Sequence, residues 1–155
     1  MRTRGPAALV SATLAVTTMS GCAASPTFAD ARELYEVISA HVTCAPEGTQ
    51  DVEEFAAGEL APSAPSLNRL TGECYGPEEG LAYDVVPYVA TDADDGEQLV
   101  AALRAQYSRF DMVVGSAWVV VVWDAPDDDI EAITRTIADE IGGERVPPGQ
   151  SDPPN

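Results

Sequence analysis

Lysine is absent from all 155 residues, and histidine occurs once, as His41. The eight basic residues are all Arg and face 26 acids, a formal net charge of −18. So acidic a chain lacks the basic surface that phosphate backbones require, which excludes nucleic acid as a partner. Without Lys there is no phosphate-binding loop of the Gly-rich, Lys-containing type. With one His, every Ser-His-Asp arrangement would have to use His41, and no Gly-x-Ser-x-Gly elbow accompanies it. Aromatics are few, at 6%, and no apolar run is long enough to cross a bilayer comfortably. Twelve Gly and twelve Pro leave a modest core and substantial irregular stretches, within a length that suits one domain.

The start of the chain has the order of an export signal. Arg2 and Arg4 precede an uncharged stretch, 7–19, followed by small residues and Cys22. Those 13 residues would rise only about 20 Å as a helix, against about 30 Å of hydrocarbon. The segment Met19-Ser20-Gly21-Cys22 resembles the lipobox of bacterial lipoproteins, with Met in a place more often held by Leu. The resemblance implies cleavage before Cys22 and a diacylglycerol thioether on its sulfur. Losing 1–21 removes two Arg and no acid, leaving 6 bases against 26 acids, a charge of −20. Anionic headgroups repel such a body, so the covalent lipid is the expected anchor, with 22–28 as a tether holding the domain clear of the surface.

With Cys22 assigned to lipid, Cys44 and Cys74 remain. Two thiols meeting oxidising conditions most often pair, closing a loop of about 30 residues worth roughly 3–4 kcal/mol. A metal pair or a reactive thiol lacks support, because the spacing is not Cys-x-x-Cys and His41 is the sole His.

Three helical patterns follow. The first, 29–43, carries Leu34, Ile38 and Val42 in one stripe, with Asp30 and Glu33 spaced as a capping box. The second, 96–110, aligns Leu99, Val100, Leu103, Tyr107 and Phe110, with Asp94 as its cap. The third starts after Pro126 with Asp127 or Asp128 as cap and stops at Gly142-Gly143. Strands are predicted at 70–75, 81–90, 111–114 and 118–123. Pro87 argues that the second is an edge or carries a bulge, and Trp-Val-Val-Val-Val-Trp at 118–123 reads as a central strand buried on both faces. A tight turn at Gly115-Ser116 joins the last two. Within 45–68, residues 51–58 suit a short helix while Pro62, Ser63, Pro65 and Ser66 suggest a loop, and 144–155 suit a disordered tail. The expected fold is α+β: two layers, an antiparallel four-stranded sheet with three helices, in one domain over 29–143.

This arrangement resembles small lipoproteins of high-GC Gram-positive bacteria. The parts are Cys22, Cys44, Cys74, Gly115-Ser-Ala-Trp118-Val119 and Ile141-Gly142-Gly143. The resemblance implies export, anchoring and a disulfide; it supplies no reaction.

Candidate chemistry is sparse. Asp92, Asp94, Asp95, Gly96 and Glu97 invite a calcium site, but Glu97 stands where the EF-hand loop needs Gly and Leu103 where it needs Glu. These acids, like Asp127, Asp128 and Asp129, suit helix N-termini. Trp118 and Trp123 lie five apart, hence on opposite faces of a strand; one is expected in the core and the other partly exposed, able to stack on sugar or peptide beside Tyr75, Tyr83 or Tyr88. No catalytic group, metal or cofactor is assigned. The expected function is a noncatalytic, membrane-anchored extracytoplasmic domain binding a protein or envelope component; the alternative is an envelope-associated enzyme or accessory hydrolase using His41 and nearby acids.

Overall fold

A computed structural model describes residues 25–45, 53–55, 67–76, 81–91 and 96–149. The expected export segment, Cys22, the Asp92–Asp95 acids and the last six residues lie outside this set. The elements in chain order are α1 (Ala31–Ser39), β1 (Glu53–Phe55), β2 (Leu67–Arg69), β3 (Gly72–Tyr75), β4 (Ala82–Ala90), α2 (Gly96–Gln106), β5 (Asp111–Val114), β6 (Trp118–Trp123), α3 (Asp127–Ile141) and β7 (Glu144–Val146). They form an α+β fold around one antiparallel sheet, ordered β1-β2-β4-β6-β5-β7, with β3 beside β2 on β4. The four expected strands are present, and β1, β2 and β7 widen the sheet.

Local chemistry explains the helix ends. Glu33 N–H donates to Asp30 Oδ1 at 2.9 Å while Ala29 N–H donates to Glu33 Oε2 at 2.6 Å, a reciprocal cap on α1. At α3 the N-cap is Pro126, without a side-chain hydrogen bond, and Asp127–Asp129 occupy the first turn rather than capping it. There their charges still favour the positive end of the helix dipole. Gly142, at φ 85°, closes α3 in the left-handed conformation that disfavours side chains, its N–H donating to Ala138 O. α2 ends at Gln106, and Tyr107 N–H adds one further turn through Leu103 O.

Pro87 does not make β4 an edge. β4 pairs with β6 along one side and with β2 and β3 along the other. Leu67 faces Ala90 and Gly72 faces Val85, so β2 and β3 keep a single register interrupted between Arg69 and Gly72. The interruption lies opposite Pro87: Leu70 N–H reaches Pro87 O at 3.3 Å, but Pro87 has no N–H to return. A central strand tolerates proline here because the missing donor points to the side where the ladder is already broken.

The sheet is covered on both faces, which replaces the expected two layers with three. Val85, Val89, Val113, Trp118, Val120 and Val122 pack with Leu34, Tyr35 and Ile38 of α1 and Ile133, Ile137 and Ile141 of α3. Val86, Tyr88, Met112, Val119 and Val121 pack on the other face against Leu99 and Leu103 of α2. Topology requires it. The connections β4-α2-β5 and β6-α3-β7 each step two positions across the sheet in the same direction, but β6 runs opposite to β4. Crossovers of one hand starting from opposed strands must use opposite faces.

Two further expectations are corrected. Residues 53–55 form a strand, not a helix, antiparallel to β2. Residues 144–146 form β7 on β5 instead of starting a loose tail, and Arg104 donates to the carbonyls of Phe110, Val146 and Pro147 beyond it. The Cys44–Cys74 disulfide is present, within a bridge that extends β3 outward: Tyr75 N–H donates to Thr43 O and Ala45 N–H to Glu73 O. It pins the end of α1 to the sheet. The Cys44→Ala/Cys74→Ala double variant should lose about 3 kcal/mol in urea unfolding; a loss under about 1 kcal/mol would contradict a stabilising role for the loop.

Candidate functional site

β6 carries both indoles, and they diverge as its pleat demands. Trp118 is fully buried against α1 and α3, while Trp123 reaches solvent beside α2. Trp123 rests against Tyr107 and Phe110, with ring centroids at 5.5 and 5.3 Å, and its Nε1 donates to Asp84 Oδ2 at 2.9 Å. Of the three tyrosines considered beside an indole, Tyr88 is buried, Tyr83 nearly so, and Tyr75 lies exposed at the β3 edge. Trp123 therefore offers part of an already packed ring rather than an open stacking platform.

A cleft of about 820 Å³ lies at the Trp118 end of the sheet, between the start of α2, the β5–β6 turn and the Gly142-Gly143 exit from α3. Val100, Ala101, Val114 and Val146 form its apolar wall, with Glu97 and Glu144 among its polar residues. Glycine is required at Gly115, where a Cβ would stand 2.1 Å from the Trp118 ring. The N-terminal stretch closes over the same indole. Trp118 Nε1 donates to Pro26 O at 2.9 Å, and Phe28 meets the ring edge-on at 5.7 Å. Residues 26–28 are thus part of the folded domain and not a free tether, a correction to the expected 22–28 spacer; Ser25 lines the cleft.

A polar recess occupies the opposite end, lined by Arg109, Asp111, Asp127, Glu131 and Arg145. Arg145 Nη2 donates to Asp111 Oδ2 at 2.7 Å and Nε to Thr134 Oγ1 at 3.2 Å, with Glu131 Oε1 at 3.6 Å. Asp111 is only 4% exposed, and its hydrogen bond, foremost, raises the Arg145 pKa. Its Oδ1 is buried without a partner among the described residues. Burial, foremost, lowers that of Arg104. His41 Nδ1 sits 3.4 Å from Glu140 Oε2, both partly exposed, and His41 lines a third recess with Tyr75 and Tyr83. Among the described residues no three His, Cys, Asp or Glu side chains gather as metal ligands, and no helix is long and apolar enough to cross a membrane. No family model, curated protein or solved structure matches this chain.

The residues missed by sequence reasoning are Arg145, Asp111 and the Pro26–Phe28 strap. Asp111 heads an apolar strand and Arg145 lies beyond a Gly-Gly stop, so nothing local links them. Asp111→Ala removes the buried counter-charge of a guanidinium that keeps only Thr134 and the half-exposed Glu131 and should cost about 2 kcal/mol, whereas adding Arg145→Met should recover part of it; chemical denaturation of both variants measures this.

Tyr88 supplies a pH test. Burial foremost raises its pKa, the Tyr107 hydroxyl adds to the rise, and the Arg69 charge opposes it. A raised folded pKa contributes stability that is intact below the unfolded value near 10 and is lost as pH climbs above it. The urea midpoint should fall between pH 9 and pH 11, and Tyr88→Phe should fall less over that interval.

Proposed function

We propose that this chain is a lipid-anchored extracytoplasmic protein, noncatalytic, whose domain binds a protein or envelope component. The observation that carries the reading is the order Arg2, Arg4, uncharged 7–19, Met19-Ser20-Gly21-Cys22, at the depth where a lipobox cysteine stands. Charge supports it: a body of −20 after cleavage cannot adhere to anionic lipid by attraction, and two buried acyl chains at about 0.8 kcal/mol per CH₂ supply attachment without help from charge. The Cys44–Cys74 pair agrees with an oxidising compartment. The binding role draws on the open apolar cleft at the Trp118 end, which joins a hydrophobic wall to a few polar groups, as ligand sites do.

Cys22→Ser in the full chain should shift the protein from the membrane pellet to the soluble or secreted fraction, and the mature N-terminus should lose the mass of a diacylglyceryl group. A Cys22→Ser protein retained in the pellet at normal level would overturn the anchoring.

A further inference from the structure

We infer that the Pro26–Phe28 strap orients the anchored protein, turning the Trp118 end of the sheet toward the bilayer and the polar Asp111–Arg145 end away from it. The inference rests on the anchoring reading and adds the surface that the membrane meets. Its basis is the point at which the chain leaves the folded domain. Pro26 O accepts the Trp118 indole proton at 2.9 Å, Phe28 packs on the same ring, and Pro26 Cδ lies 3.9 Å from where a Cβ on Gly142 would be. Three residues lie between Cys22 and Pro26, so their Cα atoms, four steps apart, are at most about 14 Å from each other at 3.6 Å per step. That reach is less than the domain's own depth, since α3, with 15 residues, is about 22 Å long.

The elements agree on which end is near. Trp118 pairs with Val89, Val114 faces Glu144, and Gly96 lies against Gly115, so the start of β6, the end of β5, the start of β7, the start of α2 and the end of α3 share one end with Pro26. Asp111, Trp123 and the first turn of α3 lie at the other. The near end carries Glu97 and Glu144, both exposed. Their charges favour a stand-off from anionic headgroups within the short reach, and this repulsion fades beyond a Debye length of about 8 Å at physiological salt. The near end therefore faces the bilayer across a thin aqueous gap, and the cleft that Ser25 helps to line lies at this same end. A ligand for that cleft is one presented at the membrane surface.

The test uses the acylated full chain in phosphatidylcholine–phosphatidylglycerol vesicles containing a rhodamine-headgroup lipid. One donor dye is placed through Ser116→Cys at the near end and, in a second protein, through Asp128→Cys at the far end. Cys22 is blocked by lipid and Cys44 and Cys74 by their disulfide, so labelling is selective. Transfer from position 116 should exceed that from 128 at least about twofold, given the ~22 Å length of α3 between the two ends. Inserting ten Gly/Ser residues between Ala24 and Ser25 leaves the domain untouched and should bring the two values together. Equal transfer from both positions in protein that sediments with the vesicles would overturn the orientation and leave the anchor standing. Protein that fails to sediment would overturn the anchor and this inference with it.

Discussion

The structure depends on the burial of β6 on both faces. Trp118, Val119, Val120, Val121 and Val122 are all fully buried, so neither face of this strand can meet water. Side chains of this kind contribute about 1.5–3 kcal/mol each on leaving water, and they do so only if each face finds its own cover. α1 and α3 cover one, α2 the other. The antiparallel order makes this possible, because reversing strand direction between two crossovers of the same hand moves the connecting helix across the sheet. A small chain thereby obtains two hydrophobic cores, and the Cys44–Cys74 disulfide ties the segment that follows α1 to β3.

Trp118 has a second consequence. Its ring lies at the end of the sheet where the polypeptide enters the domain, and its single N–H is satisfied by the backbone of the entering segment. A buried indole needs such a partner, and here the partner comes from 92 residues away in sequence. The same atom that completes the core thus determines where the N-terminal segment emerges. At the far end a carboxylate takes the corresponding place: Asp111 on β5 holds Arg145 on β7, and Arg104 holds the carbonyls that follow. Polar groups at both ends of the sheet fasten the chain's terminal stretches to it.

Much of this was legible in the residues. The 3.6-residue stripes of α1 and α3, the Gly142 stop and the unbroken β-branched run of β6 are local patterns, and local patterns specify element type without tertiary help. The pairing of Cys44 with Cys74 followed from counting thiols. Less legible was Pro87, because the rule that proline belongs at edges is a rule about one hydrogen bond, and whether that bond is needed depends on the neighbouring strand. β1, β2 and β7 are three residues each, too short to show alternation, and they become strands only because β4 and β5 offer them partners.

The sequence by itself determined the acidic charge, the paired thiols, the helix and strand types and the residues that must be buried, because each is a property of a residue or of its near neighbours. Only the tertiary structure decided that the helices divide between two faces, that Asp111 meets Arg145, and that Pro26 and Phe28 belong to the folded body. Those are contacts between positions 34 to 92 residues apart, and their existence depends on strand order and crossover hand, which no short window of residues encodes.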